Sequence, residues 1–138
     1  AGHVGRAIAE RAQGLRFQIG WYDCREEAAR TPGVMLADPE AMAACARDAS
    51  ADTAILILTH DHGLDYELTA AALRSAAGYV GLIGSQTKRA RFLSRLAAEE
   101  VDSARLTCPI GLPGIHGKEP ESIAIAVLAQ LLSLSSLE

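Results

Sequence analysis

The sequence predicts an α/β domain in which a parallel sheet lies between two layers of helices, and three observations predict it. Short apolar runs of strand length alternate with helix-period segments along the whole chain. Two of those runs, Ala54-Ile55-Leu56-Ile57-Leu58-Thr59 and Tyr79-Val80-Gly81-Leu82-Ile83-Gly84, are almost continuously apolar, as strands covered on both faces are. Glycines and capping residues punctuate the junctions where a strand gives way to a helix. A single domain is expected over residues 1–136, with Leu137-Glu138 reading as a vector-derived scar.

The elements follow in order. Ala1-Gly2-His3-Val4-Gly5 matches the last five positions of a G-x-G-x-x-G turn, so the first glycine and its strand are expected to be truncated from the chain. In the Rossmann-type version of that turn, Gly2 lets the backbone approach a diphosphate and Gly5 lets the next helix pack closely. That helix, His3 to Gln13, places Val4, Ile8 and Ala12 on one face, and its N-terminal N–H groups favour an anion. The competing reading is a glycine-containing helix start with no ligand. Phe17 to Asp23 reads as a strand with Phe17, Ile19 and Trp21 on one face. Asp23 falls 21 residues after Gly2, close to the place of the ribose-binding acid in the dinucleotide pattern. Arg25 complicates that role, since a guanidinium tolerates a 2′-phosphate, and a solvated strand-end carboxylate is the bland alternative.

A loop from Glu26 to Gly33 leads to a short strand at Val34-Met35-Leu36. Asp38 as N-cap and Pro39 in the first turn then open a helix to Arg47. After the strand 54–59 comes a helix from Leu64 to Ser75, with Leu64, Leu68, Ala71 and Ala72 inward. After the strand 79–84, Ser85 caps a helix to Glu99. Pro120 opens the last helix, with Ile123, Val127 and Leu131 on its buried stripe. The pattern implies strand order 3-2-1-4-5 once the missing first strand is counted.

Composition narrows the function. Nearly half the residues are hydrophobic (49%) but few are aromatic (4%), so the core is built from Ala, Leu, Ile and Val. A net charge of −4 argues against nucleic acid as a partner, and no apolar run reaches the roughly 18 residues of a membrane span. Cys24, Cys45 and Cys108 form no disulfide framework and point to a reducing, cytoplasmic setting.

Ligands of such sheets bind beyond the carboxyl ends of the strands, where four segments converge: the glycine turn, Asp23-Cys24-Arg25, Thr59-His60-Asp61-His62, and Gly84-Ser85 with Lys88-Arg89. The third offers ligand contacts or acid–base groups, while Asp61 alone reads equally as a helix cap. Its i, i+2 histidines are poorly spaced for joint metal ligation, so no metal is expected there. In the fourth, backbone N–H groups, Ser85 and Lys88 suit a phosphate; the alternative is that Lys88, Arg89 and Arg91 form a solvated helix face. Cys45 reads as core, and Cys24, beside Arg25 at the cleft mouth, is a minor candidate sulfur or metal ligand.

Four motifs occur in order: Gly2-His3-Val4-Gly5-Arg6-Ala7; Thr59-His60-Asp61-His62; Gly81-Leu82-Ile83-Gly84-Ser85 with Thr87-Lys88-Arg89-Ala90-Arg91-Phe92; and Cys108-Pro109-Ile110-Gly111-Leu112-Pro113-Gly114-Ile115 with Gly117-Lys118-Glu119-Pro120. Together they resemble the C-terminal Rossmann domain of the xanthine dehydrogenase accessory factors of the XdhC/CoxI family. The resemblance implies a maturation factor that binds molybdenum cofactor, as molybdopterin or its dinucleotide. Such a factor holds the cofactor while a cysteine desulfurase sulfurates it and delivers it to a molybdenum hydroxylase such as xanthine dehydrogenase. It implies a cofactor chaperone rather than a catalyst, and a homodimer is compatible with it. Carried onto this chain, the expected cofactor contacts are Gly2, His3, Val4, Gly5, Asp23, Arg25, Thr59, His60, Asp61, Gly84, Ser85 and Lys88. Family members usually carry a separate N-terminal region as well. Two rival readings stand beside this one: an NAD(P)-binding oxidoreductase with His60, Asp61 and His62 at the nicotinamide, and a nucleotide-sensing module that docks on an enzyme.

Overall fold

The computed structural model describes residues 2–134. Ala1, at the head of the glycine turn, and Leu137-Glu138, read above as a scar, lie outside them. The described chain runs α1 (His3–Arg11), β1 (Trp21–Asp23), a 3-10 turn (Glu26–Arg30), β2 (Val34–Leu36), α2 (Pro39–Arg47), β3 (Ala54–Ile57), α3 (His62–Leu73), β4 (Tyr79–Leu82), α4 (Gln86–Ala98), β5 (Leu106–Thr107) and α5 (Pro120–Leu132). All strand pairs are parallel: β1 with β2, then β3 with β4 and β4 with β5. Among the described residues the strands form two ladders, β1-β2 and β3-β4-β5, with no pairing between them.

Side-chain alternation along β3 and β4 shows why this is a three-layer structure. Ile55 and Ile57 of β3 and Val80 and Leu82 of β4 face a core shared with α2, α3 and α4. Ala54, Leu56 and Tyr79 face the opposite way, into a second core shared with α1 and α5. A strand offers alternate residues to opposite faces, so both faces must be apolar when both are covered. Val80, Leu82 and Leu96 are completely buried, and each such side chain is worth roughly 1.5–3 kcal/mol.

Local signals set the helix boundaries. Asp38, Asp61 and Ser85 each accept an N–H from the first turn of α2, α3 and α4. At the end of α4, Glu100 takes a left-handed φ of 59°. The Glu100 N–H then bonds to Ala97 and the Val101 N–H to Leu96, a two-bond closure that satisfies helix-end carbonyls.

The structure corrects several expectations. The strand expected over 17–23 is regular only from Trp21 to Asp23, because its partner β2 has three residues, and Ile19 is exposed. The apolar runs at 54–59 and 79–84 end early, at Ile57 and Leu82, since their last residues turn into the loops that carry the site. The strand β5 is absent from the sequence reading; at two residues it is too short to show a period. Cys45 is exposed on α2 rather than part of the core.

Behind the sheet, Tyr66 of α3 is almost fully buried (2% exposed), edge-on to Phe92, and donates its hydroxyl to Glu99 at 2.8 Å. Burial and the Glu99 carboxylate push its pKa from about 10 up to about 12. A folded-state value raised in this way favours the fold below pH ~10, and that contribution is lost as pH climbs through 12. An ultraviolet phenolate titration is therefore expected to show a tyrosine ionising near pH 12. Tyr66→Phe lowers the amplitude of that step by one tyrosine; an unchanged amplitude in the variant would contradict the assignment.

Candidate functional site

The site lies at the carboxyl ends of β1, β3 and β4, where three helices begin. Gly2 is the N-cap of α1, extended at φ −86° and ψ 175°, and makes no side-chain cap. The first turn of α1 carries no acidic residue, so its N-terminal N–H groups have neither a side-chain cap nor a carboxylate from their own turn. A Cβ added at Gly2 would lie 3.1 Å from His60 Nε2. One at Gly5 would touch the Trp21 indole at 3.4 Å, which ties the glycine turn to β1. The turn therefore sits between β1 and the loop after β3, with His3 and His60 exposed and Val4 and Gly5 half-buried.

The loop after β3 is held by a buried polar network. Asp65, in the first turn of α3, is fully buried, and its Oδ1 accepts the Thr59 hydroxyl at 2.6 Å and the Thr59 N–H at 3.1 Å. Thr59 Oγ1 in turn accepts the Asp61 N–H at 3.1 Å, and Asp61 caps α3 through the Leu64 N–H. Lys88 reaches the same carboxylate from α4: its Nζ is 2.6 Å from Asp65 Oδ2 and 2.9 Å from the Ile83 carbonyl. The ammonium also stands 5.5 Å from the centre of the Phe92 ring. Taking two charges out of water costs several kcal/mol per ion unless geometry and further hydrogen bonds compensate, as they do here.

These contacts revise the roles expected of Gly84, Ser85 and Lys88. Lys88 does not extend toward solvent as a phosphate clamp or as part of a solvated helix face; its charge is neutralised inside the domain. Gly84 makes room for it, because a Cβ there would meet Lys88 Cδ at 2.7 Å. The Ser85 hydroxyl accepts the Lys88 N–H at 3.2 Å and so serves as the α4 cap. The residue missed by the sequence reading is Asp65. Its signal was present: an acid between Leu64 and Leu68 on the inward face of α3 needs a partner.

Asp23 and Arg25 form an ion pair at the end of β1. Two guanidinium N–H groups and the Arg25 backbone N–H bond to the Asp23 carboxylate at 2.8–3.1 Å. That guanidinium holds the Asp23 carboxyl well below the usual carboxylate range. A ribose diol arriving here would have to share the carboxylate with Arg25 or displace it. Cys24 is exposed beside this pair, whereas Cys108 is buried and its thiol is pushed up by burial. Among the described residues no three His, Cys, Asp or Glu side chains gather to hold a metal ion. No helix among them is long and apolar enough to cross a membrane.

The structure thus joins Gly2, His60, Thr59, Asp61, Asp65, Lys88, Gly84 and Ser85 in one connected region and leaves Asp23-Arg25 as a neighbouring pair at the end of β1. The family model of the XdhC Rossmann domain matches residues 1–131. The chain belongs to the XdhC family. The resemblance carried by the four motifs is borne out, and with it the Rossmann-like fold. This XdhC domain is 33% identical over 145 aligned positions to the uncharacterized protein YqeB of Escherichia coli (strain K12), covering 99% of the chain. It also superimposes on the crystal structure of a protein described as a xanthine dehydrogenase from Bacillus halodurans, with a TM-score of 0.79 and 25% identity over 96% of the chain. The XdhC domain spans 26% of the length of the first and 39% of the second.

Proposed function

We propose that this XdhC domain binds molybdenum cofactor, holding it for sulfuration and for insertion into xanthine dehydrogenase or a related molybdenum hydroxylase. The observation that carries the reading is the start of α1. It is an uncapped helix N-terminus with a glycine at its mouth and no carboxylate in its first turn, which fits the phosphate end of a molybdopterin or its dinucleotide. Gly2, His3, Val4 and Gly5 would hold that phosphate, while His60 and Asp61 border it from the β3 loop. When bound, the cofactor supplies the molybdenum chemistry of the client enzyme; the residues of this chain bind it and shield it. The Asp65–Lys88 pair fixes the loop that carries His60 and does not itself meet the ligand.

Family membership and the Bacillus halodurans neighbour support a molybdenum hydroxylase as the client. A cysteine desulfurase, a homodimer and a cytoplasmic setting belong to the same proposal. The test is a pair of equilibrium titrations on the purified protein, one with molybdenum cofactor and one with NAD(H). Tight cofactor binding without NAD(H) binding is expected. Micromolar NAD(H) affinity with no cofactor binding would overturn the proposal in favour of a pyridine-nucleotide oxidoreductase, the reading that the strand-end position of Asp23 favours.

A further inference from the structure

A cavity of about 480 Å³ opens between the start of α4, the segment from Leu106 to Ile115 and α5. It shares no lining residue with the glycine turn, the β3 loop or the Asp23-Arg25 pair. Its size falls within the roughly 300–1,000 Å³ usual for small-molecule pockets. Pro109, Ile110 and Leu112 give it apolar walls, and Leu112 and Ile115 are exposed at its rim.

Its lining carries one charged side chain, the guanidinium of Arg89. Arg89 lines the cavity half-buried, and among the described residues no carboxylate or other acceptor holds its guanidinium. Gln130 is oriented by its neighbours: the Tyr79 hydroxyl and the Gly111 N–H both donate to its Oε1. With its oxygen so engaged, the Gln130 amide NH2 has no protein partner among the described residues. The lining contains no Asp or Glu to balance the Arg89 charge. A half-desolvated cation beside apolar walls is complementary to an anion with an apolar body.

We propose that this cavity is a second ligand site, which takes a small organic acid with its anionic group on Arg89 and its apolar body against Pro109, Ile110 and Leu112. The site stands on its own residues and does not depend on the molybdenum cofactor reading.

The probe is 1-naphthoate, paired with the uncharged 1-naphthalenemethanol, in fluorescence titrations backed by amide chemical-shift mapping. One charge-assisted contact of about 1.4 kcal/mol or more corresponds to a tenfold preference. The intact protein is therefore expected to bind the acid about tenfold more tightly than the alcohol, with shifts centred on Thr107 to Leu112. Arg89→Gln, which breaks no hydrogen bond or ion pair among the described residues, should bring the acid down to the affinity of the alcohol. Leu112→Ser should weaken both probes alike. Equal binding of acid and alcohol, an acid affinity unchanged in Arg89→Gln, no binding of either probe, or shifts centred on Gly2 to Gly5 would each overturn the assignment.

Discussion

Lys88→Met is expected to destabilise the domain by about 3–5 kcal/mol, the usual cost of leaving a buried charge without its partner. Asp65 is completely buried, and Lys88 supplies its countercharge at 2.6 Å. Methionine fills much of the same space but leaves the Asp65 carboxylate without its countercharge and the Ile83 carbonyl without its donor. Urea unfolding checks the expectation through a shifted midpoint. The double variant Lys88→Met with Asp65→Leu removes both charges and should recover a large part of the loss, although Thr59 then lacks its acceptor. A single variant as stable as the parent would show that the pair is not what holds the β3 loop in place.

The second large effect is on binding. Gly2→Val is expected to reduce the affinity for inorganic pyrophosphate and for molybdenum cofactor by tenfold or more, with the unfolding midpoint nearly unchanged. Gly2 is in extended backbone, which valine adopts without strain. Its Cβ would lie 3.1 Å from the tip of the His60 imidazole, an exposed side chain able to give way. The β-branched methyls would cover the N–H groups of the α1 N-terminus, so ligand access suffers rather than the core. A folded Gly2→Val variant with undiminished pyrophosphate and cofactor binding would remove the glycine turn as the anion site. Binding lost together with the fold would instead mark Gly2 as structural.

Much of the architecture was legible in the sequence. The runs at 54–59 and 79–84 announced buried parallel strands because both faces needed covering, and the caps Asp38, Ser85 and the alternative cap reading of Asp61 all hold. The first strand was read too long because Phe17 and Ile19 keep the alternation that Trp21 begins, although β2 pairs only with residues 21–23. Site residues were harder. The pattern placed Gly2, Thr59, His60, Gly84 and Lys88 at one edge of the sheet, where the structure also has them. What it did not convey was direction. A lysine in the first turn of a helix points to solvent or to the interior according to a partner 23 positions away, and nothing local to Lys88 encodes Asp65. The sequence groups Arg89 with Lys88, either at a phosphate site or on a solvated helix face, yet the two side chains part company, one into the core and one into the cavity.

The accommodation of Lys88 by Gly84 bears on how glycine-rich turns are read in other chains. A Gly-Ser-x-x-Lys string between an apolar strand and a helix has the look of a phosphate loop, and a motif search would collect it as one. Here the same spacing lets a lysine stem fold back over its own turn, within one helical pitch, to reach an acid on the adjacent helix. The string then records an internal contact, and its discriminating companion is an aspartate on the apolar stripe of the preceding helix. Where that companion is present, glycine and lysine should vary together as a unit of the scaffold, independently of whatever the cleft binds.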